Sequence, residues 1–107
     1  MLVSEALRVV DATWPERLVA DVLDVTALAV VQPAGMEYSV RLFGAASALR
    51  YGTGTNPQFP ELVRRVAGEW REAIGQPSFE ALWQEGLSLD RKQALELAWH
   101  ACHSALG

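Results

Sequence analysis

The chain has little of what staples, charges or anchors a protein. Its one cysteine, Cys102, has no partner for an internal disulfide, a pattern that fits a reducing compartment. Lys92 is its only lysine beside eight arginines, and 13 acids against 9 bases leave a net charge of -4. That balance opposes a direct nucleic-acid surface, which needs clustered cations to meet phosphate. The longest continuous apolar run, near Ala27 to Val31, is far short of the roughly 20 residues a membrane-spanning helix requires. The opening residues, Met1 to Glu5, show no charged region leading into a long apolar core. A cytoplasmic protein with no membrane contact is the expectation. No phosphate loop of the GxxxxGK[ST] type occurs, and none of the serines sits in a GxSxG elbow. Neither an enzyme nor a cofactor is expected.

What is present is apolar and helical in its spacing. Half of the 107 residues are hydrophobic and four are tryptophan, enough to offset the ordering entropy of one domain. Proline and glycine cut the chain into about six helical segments with no alternating pattern. The first runs from about Ser4 to Ala12. Thr13-Trp14-Pro15-Glu16 then offers a capping box and a proline at a helix start, opening a second helix to about Val31. That helix carries Leu18, Val19, Val22, Leu23, Val25 and Leu28, an apolar set wide enough to need neighbours on several sides, with Arg17, Asp21 and Asp24 as a narrow wet edge. Gln32 to Gly35 makes a turn, and a third helix runs to about Arg50, where Gly52 and Gly54 suit a left-handed cap. The loop 51–59 is the best internal joint in a single domain of residues 1–107. Pro60 opens a fourth helix with an apolar face that includes Val63, Val66 and Trp70. Gly75 to Ser78 ends it and caps a short fifth, which stops at Gly86. Ser88 is the expected N-cap of the last helix, whose stripe is Leu95, Ala98, Trp99, Cys102 and Leu106. The fold class is all-α, built of antiparallel helix pairs.

The order Arg41-Leu42-Phe43-Gly44-Ala45-Ala46-Ser47-Ala48-Leu49-Arg50, followed by Gly54, Pro60, Ile74-Gly75, Phe79, Trp83 and Glu85-Gly86-Leu87, resembles the C-terminal helical-repeat region of actinobacterial-type LuxR-family and other ATP-binding transcriptional regulators. The likeness runs from about Arg17 to Ala98 and is densest from Arg41 to Leu89. It implies tetratricopeptide-like helix pairs in a short superhelix, of the kind that stand between an ATPase module and a helix-turn-helix. Neither of those flanking modules has its motif here, and the turn at Gln32 to Gly35 departs from the glycine-aspartate turn of that family. Gly44 to Ala48, nearly all small, reads as a place where a neighbouring backbone comes close, since Gly44 in a helix costs about 1 kcal/mol against alanine.

The leading functional expectation is a non-catalytic module acting in transcription regulation through protein contacts, with a protein partner or a second copy, as in a homodimer. Leu2, Val3, Leu7, Val10 and Trp14, together with faces of the second helix, are the candidate contact residues. The alternative is a small-molecule effector module in which Trp70, Trp83 and Trp99 line one apolar pocket. Glu96, His100 and His103, at i, i+4 and i+7, form a weak metal candidate beside Cys102; a histidine near a helix C-terminus is more simply explained by the helix dipole. Asp21 and Asp24 have the spacing of a paired-carboxylate site, but the simpler reading is a solvated face.

Overall fold

A computed structural model describes residues 15–30, 35–54 and 60–106. Within them five helices follow one another: α1 Glu16–Val30, α2 Met36–Thr53, α3 Pro60–Ile74, α4 Gln76–Leu87 and α5 Arg91–Leu106. The fold is all-α, and no strand occurs among the described residues. The expected first helix at 4–12 lies outside them, as does most of the loop 51–59. No described helix is long and apolar enough to cross a membrane.

The punctuation works largely as its chemistry requires. Gly54 closes α2 in the left-handed conformation, its φ of 69° allowing its N–H to reach the Arg50 carbonyl. Gly75, at φ 89°, makes the break between α3 and α4. Pro60 opens α3, and Pro77 lies in the first turn of α4, where a missing N–H costs nothing. The start of α5 departs from expectation. Its cap is Asp90, whose Oδ1 accepts from the Gln93 N–H at 2.8 Å while Gln93 Oε1 accepts from the Asp90 N–H at 3.0 Å. This is a reciprocal capping box. Ser88 instead donates its hydroxyl to the Glu85 carbonyl at the end of α4.

Helices α1 and α2 form an antiparallel pair. Asp21, early in α1, meets Arg50, late in α2, while the Ser39 hydroxyl near the start of α2 donates to the Ala27 carbonyl at 2.7 Å. The sequence suggested that α1 would be the helix surrounded on several sides, but α2 takes that place. It packs against α1, α3, α4 and α5, with Ser39, Val40, Leu42, Phe43, Ala45 and Ala46 all buried. Helix α1 buries one face, through Val19, Ala20, Leu23, Ala27 and Val30, and leaves Leu18 and Val25 exposed. Helix α5 meets α1 and α2 through small residues, Ala94, Ala98 and Ala101, with Cys102 buried beside them.

Close approach is tightest where α2 crosses α4. A methyl group built on Gly44 would stand 2.6 Å from the Trp83 carbonyl oxygen and 3.2 Å from the Gly86 Cα. One built on Gly86 would collide with the Arg41 carbonyl. Both obstacles are backbone, so neither can move aside without shifting a helix. The near-zero-radius side chain, and not conformational freedom, is what both positions require. Replacing Gly86 with alanine is therefore expected to cost at least the roughly 1–3 kcal/mol typical of overpacking, despite alanine's better helix propensity. Urea unfolding followed by far-ultraviolet circular dichroism measures this; a Gly86→Ala protein as stable as the parent would refute the close crossing.

Candidate functional site

The α1–α2 register brings three charged side chains together. Arg50, whose side chain is only 7% exposed, places Nη2 at 2.7 Å from Asp21 Oδ1 and at 2.6 Å from Asp24 Oδ2. Asp24 is a buried residue, 7% exposed overall, whereas Asp21 remains partly open to solvent. The expected solvated face is thus corrected at Asp24: the hairpin folds Arg50 against it and closes it off from water. Burial pushes the Asp24 carboxyl above its ordinary value. The hydrogen bond and charge of Arg50 pull it down without cancelling that effect, and the negative charge of Asp21 adds to the upward push.

Asp24 Oδ1 is buried and has no hydrogen-bond partner, an arrangement that costs free energy wherever a polar atom leaves water. Asp24 also lines a hollow of about 240 Å³ together with Arg50, Phe43, Ser47, Val63 and Trp83, with Tyr51 completing the wall. Four helices build it: α1 gives Asp24; α2 gives Phe43, Ser47, Arg50 and Tyr51; α3 gives Val63; and α4 gives Trp83. Tyr51 is 92% exposed and stands at the rim. Trp83 is steadied from behind, stacked on buried Phe79 with ring centroids 5.6 Å apart, and Phe79 in turn carries the Arg71 guanidinium 4.8 Å from its ring. Phe43 is backed by Trp70 at 4.6 Å.

Of the three tryptophans expected around one cavity, Trp83 lines this hollow. Trp70 is buried and supports the wall through Phe43. Trp99 lies on α5 with its ring 4.2 Å from that of His103. Glu96 and His100 share a different groove with Arg41 and Glu85, which pair at 2.7 Å across the α2–α4 crossing. With His103 turned to Trp99, the weak metal candidate does not converge, and no group of three His, Cys, Asp or Glu among the described residues is placed to hold a metal ion. Cys102 is buried, and burial pushes its thiol up, away from the thiolate a nucleophile needs. Leu2, Val3, Leu7, Val10 and Trp14, the candidate contact residues, lie outside the described residues.

The pairing of Asp24 with Arg50 is what a reading of the sequence passed over. Each is unremarkable in its own segment, and the pairing appears only when the hairpin register is known. A signal was present: an acid three residues from another acid, and an arginine one helical turn before the glycine that ends the next helix.

No known protein family, no curated protein and no solved structure matches the chain.

The raised carboxyl of Asp24 has a signed consequence for stability. A folded-state value above the unfolded one means that the native state holds its proton longer, so the Asp24 contribution is fully present below about pH 3.8 and is lost as pH rises through the folded value. Asp24→Asn has no such titration. The stability of the parent minus that of Asp24→Asn, from urea unfolding at intervals between about pH 4 and 8, is expected to fall as pH rises. A difference that grows with pH would show that Arg50 dominates over burial.

Proposed function

We propose that the chain is a non-catalytic helical module that binds a small effector in the hollow between α1, α2, α3 and α4. The observation that carries this reading is the buried, unpartnered Oδ1 of Asp24 in a carboxylate that lines an aromatic-walled hollow. Folded proteins pair their buried polar atoms almost everywhere, and a ligand that donates to this oxygen restores the missing bond. A few polar groups among apolar and aromatic walls is the usual make-up of a small-molecule site. The likeness of Arg41 to Arg50 to the repeat region of LuxR-type transcriptional regulators favours a sensory role in transcription regulation over a metabolic one.

A thermal-shift screen of small metabolites tests this. A true ligand at ten times its Kd adds about 1.4 kcal/mol to stability, or roughly 5–10 °C in Tm for a domain of this size. Ser47→Phe, which puts a ring into the hollow, is expected to abolish that shift. Hits whose shift survives Ser47→Phe bind elsewhere and sink the reading.

The second reading, contact with a protein partner, is favoured by the outer face of α1. Leu18 and Val25 are 39% and 56% exposed; with half-buried Val22 and exposed Ala29 they follow a four, three, four spacing along one side of the helix. A second copy of the chain is the simplest occupant of such a stripe. Size-exclusion chromatography with light scattering decides: a dimer that Val25→Glu converts to a folded monomer supports it, and a monomeric parent at high concentration removes it.

A further inference from the structure

We propose that the occupant of the hollow is a compact organic ammonium ion, its N–H groups donating to the Asp24 carboxylate and its charge lying against the Phe43, Tyr51 and Trp83 rings. This rests on the hollow being a ligand site and adds the chemical class of the ligand.

Three features select that class. The first is charge. Asp21, Asp24 and Arg50 sum to one negative charge, and Arg50 Nη2 is already engaged by both acids at 2.7 and 2.6 Å. An anion entering here would compete with two carboxylates for one guanidinium and would itself face Asp24. A cation meets the opposite balance. The second is hydrogen-bond polarity. Asp24 Oδ1 is an acceptor without a donor, and an ionised carboxylate accepts only, so the ligand must bring N–H or O–H. A bond from a charged donor is the stronger of the two.

The third is the wall. Phe43, Tyr51 and Trp83 come from two helices to one hollow, and an ammonium near aromatic rings gains from their negative faces, more so when water is excluded. Trp83 is held in place by its stack on Phe79, and Phe43 by Trp70, so these two walls are set before a ligand arrives. Tyr51, at the rim and largely exposed, is the wall with freedom to adjust. At about 240 Å³ the hollow lies below the range of roughly 300–1,000 Å³ common for drug-sized ligands. That limits the occupant to about one small ring or a short branched chain bearing the ammonium.

The test uses the full chain and three probes of one shape: cyclohexylammonium, cyclohexanol and cyclohexanecarboxylate. Each is titrated at pH 7 while the Trp83 indole N–H is followed by two-dimensional nuclear magnetic resonance, the peak being identified by its loss in Trp83→Phe. Cyclohexylammonium is expected to move that peak saturably, with cyclohexanol at least about tenfold weaker and the carboxylate weaker still. Asp24→Asn is expected to weaken the ammonium by about tenfold or more while leaving the alcohol unchanged. Equal binding of ammonium and alcohol would overturn the ammonium assignment and leave the hollow as a site for a neutral donor. Tighter binding of the carboxylate would overturn it in favour of an anion site on Arg50. No movement with any probe also overturns the class, while the Ser47→Phe melting screen separately decides whether the hollow binds ligands at all. Should Asp24→Asn fold poorly, the three-probe ranking on the unaltered chain is sufficient.

Discussion

The crossing of α2 and α4 at Gly44 and Gly86 is the contact on which the rest of the arrangement depends. Two helices meet there backbone to backbone, with no room for a methyl group on either side. Because the obstacle to Gly44 is the carbonyl of Trp83 itself, the crossing fixes where Trp83 stands relative to Phe43 and Ser47 on the adjoining turns of α2. A larger residue at either glycine would push α4 outward and open the hollow. Helix α2 is thus surrounded for a reason: its small residues let α4 come close, and its larger ones, Leu42 and Phe43, fill the space that the remaining helices leave.

The charged trio is a second constraint, of opposite character. Removing one partner of a buried ion pair typically costs 3–5 kcal/mol, yet replacing the whole group with apolar residues of similar volume is often neutral or stabilising. Stability alone therefore gives weak reason to keep Asp24 buried beside Arg50 with one oxygen unpartnered. Local rules broken without structural gain are the expected mark of a binding or catalytic site. The second carboxylate, Asp21, is partly open to solvent where Asp24 is buried, and both are held by the same guanidinium. Binding is the use proposed for this geometry.

Much of the helical plan was legible in the sequence because glycine and proline act locally. Gly54, Pro60 and Gly75 mark boundaries through their own backbone chemistry, and each marks one in the structure. The small-residue run after Phe43 was legible for the same reason, since a glycine inside a helix needs compensation by packing. Three features were not. The Asp90 cap went unread because Ser88, two residues earlier, also offers a capping side chain, and only the geometry of the preceding turn decides between them. The burial of α1 was overestimated because its apolar count suggested neighbours on several sides, while one of its faces stays open at Leu18 and Val25. The Arg50–Asp24 pairing was missed because the two residues lie on different helices and meet only through hairpin register, which periodicity does not report.

The two proposed binding surfaces share one turn of one helix. Asp24 faces inward to the hollow and Val25, its chain neighbour, faces outward on the exposed stripe. A ligand that takes a share of the Asp24 carboxylate changes what holds α1 against Arg50, and α1 carries the outer stripe with it. Such proximity becomes regulation only if the ligand binds two arrangements of α1 with different affinity, since a ligand with equal affinity for both shifts nothing. The pairing of Arg50 with both acids supplies a physical basis for two such arrangements: Asp21, at the open edge, can keep the guanidinium when Asp24 is drawn to a ligand. The coupling would then be limited by the difference in strength between those two bonds to Arg50, and by reciprocity a partner on the outer stripe would change affinity in the hollow by the same factor.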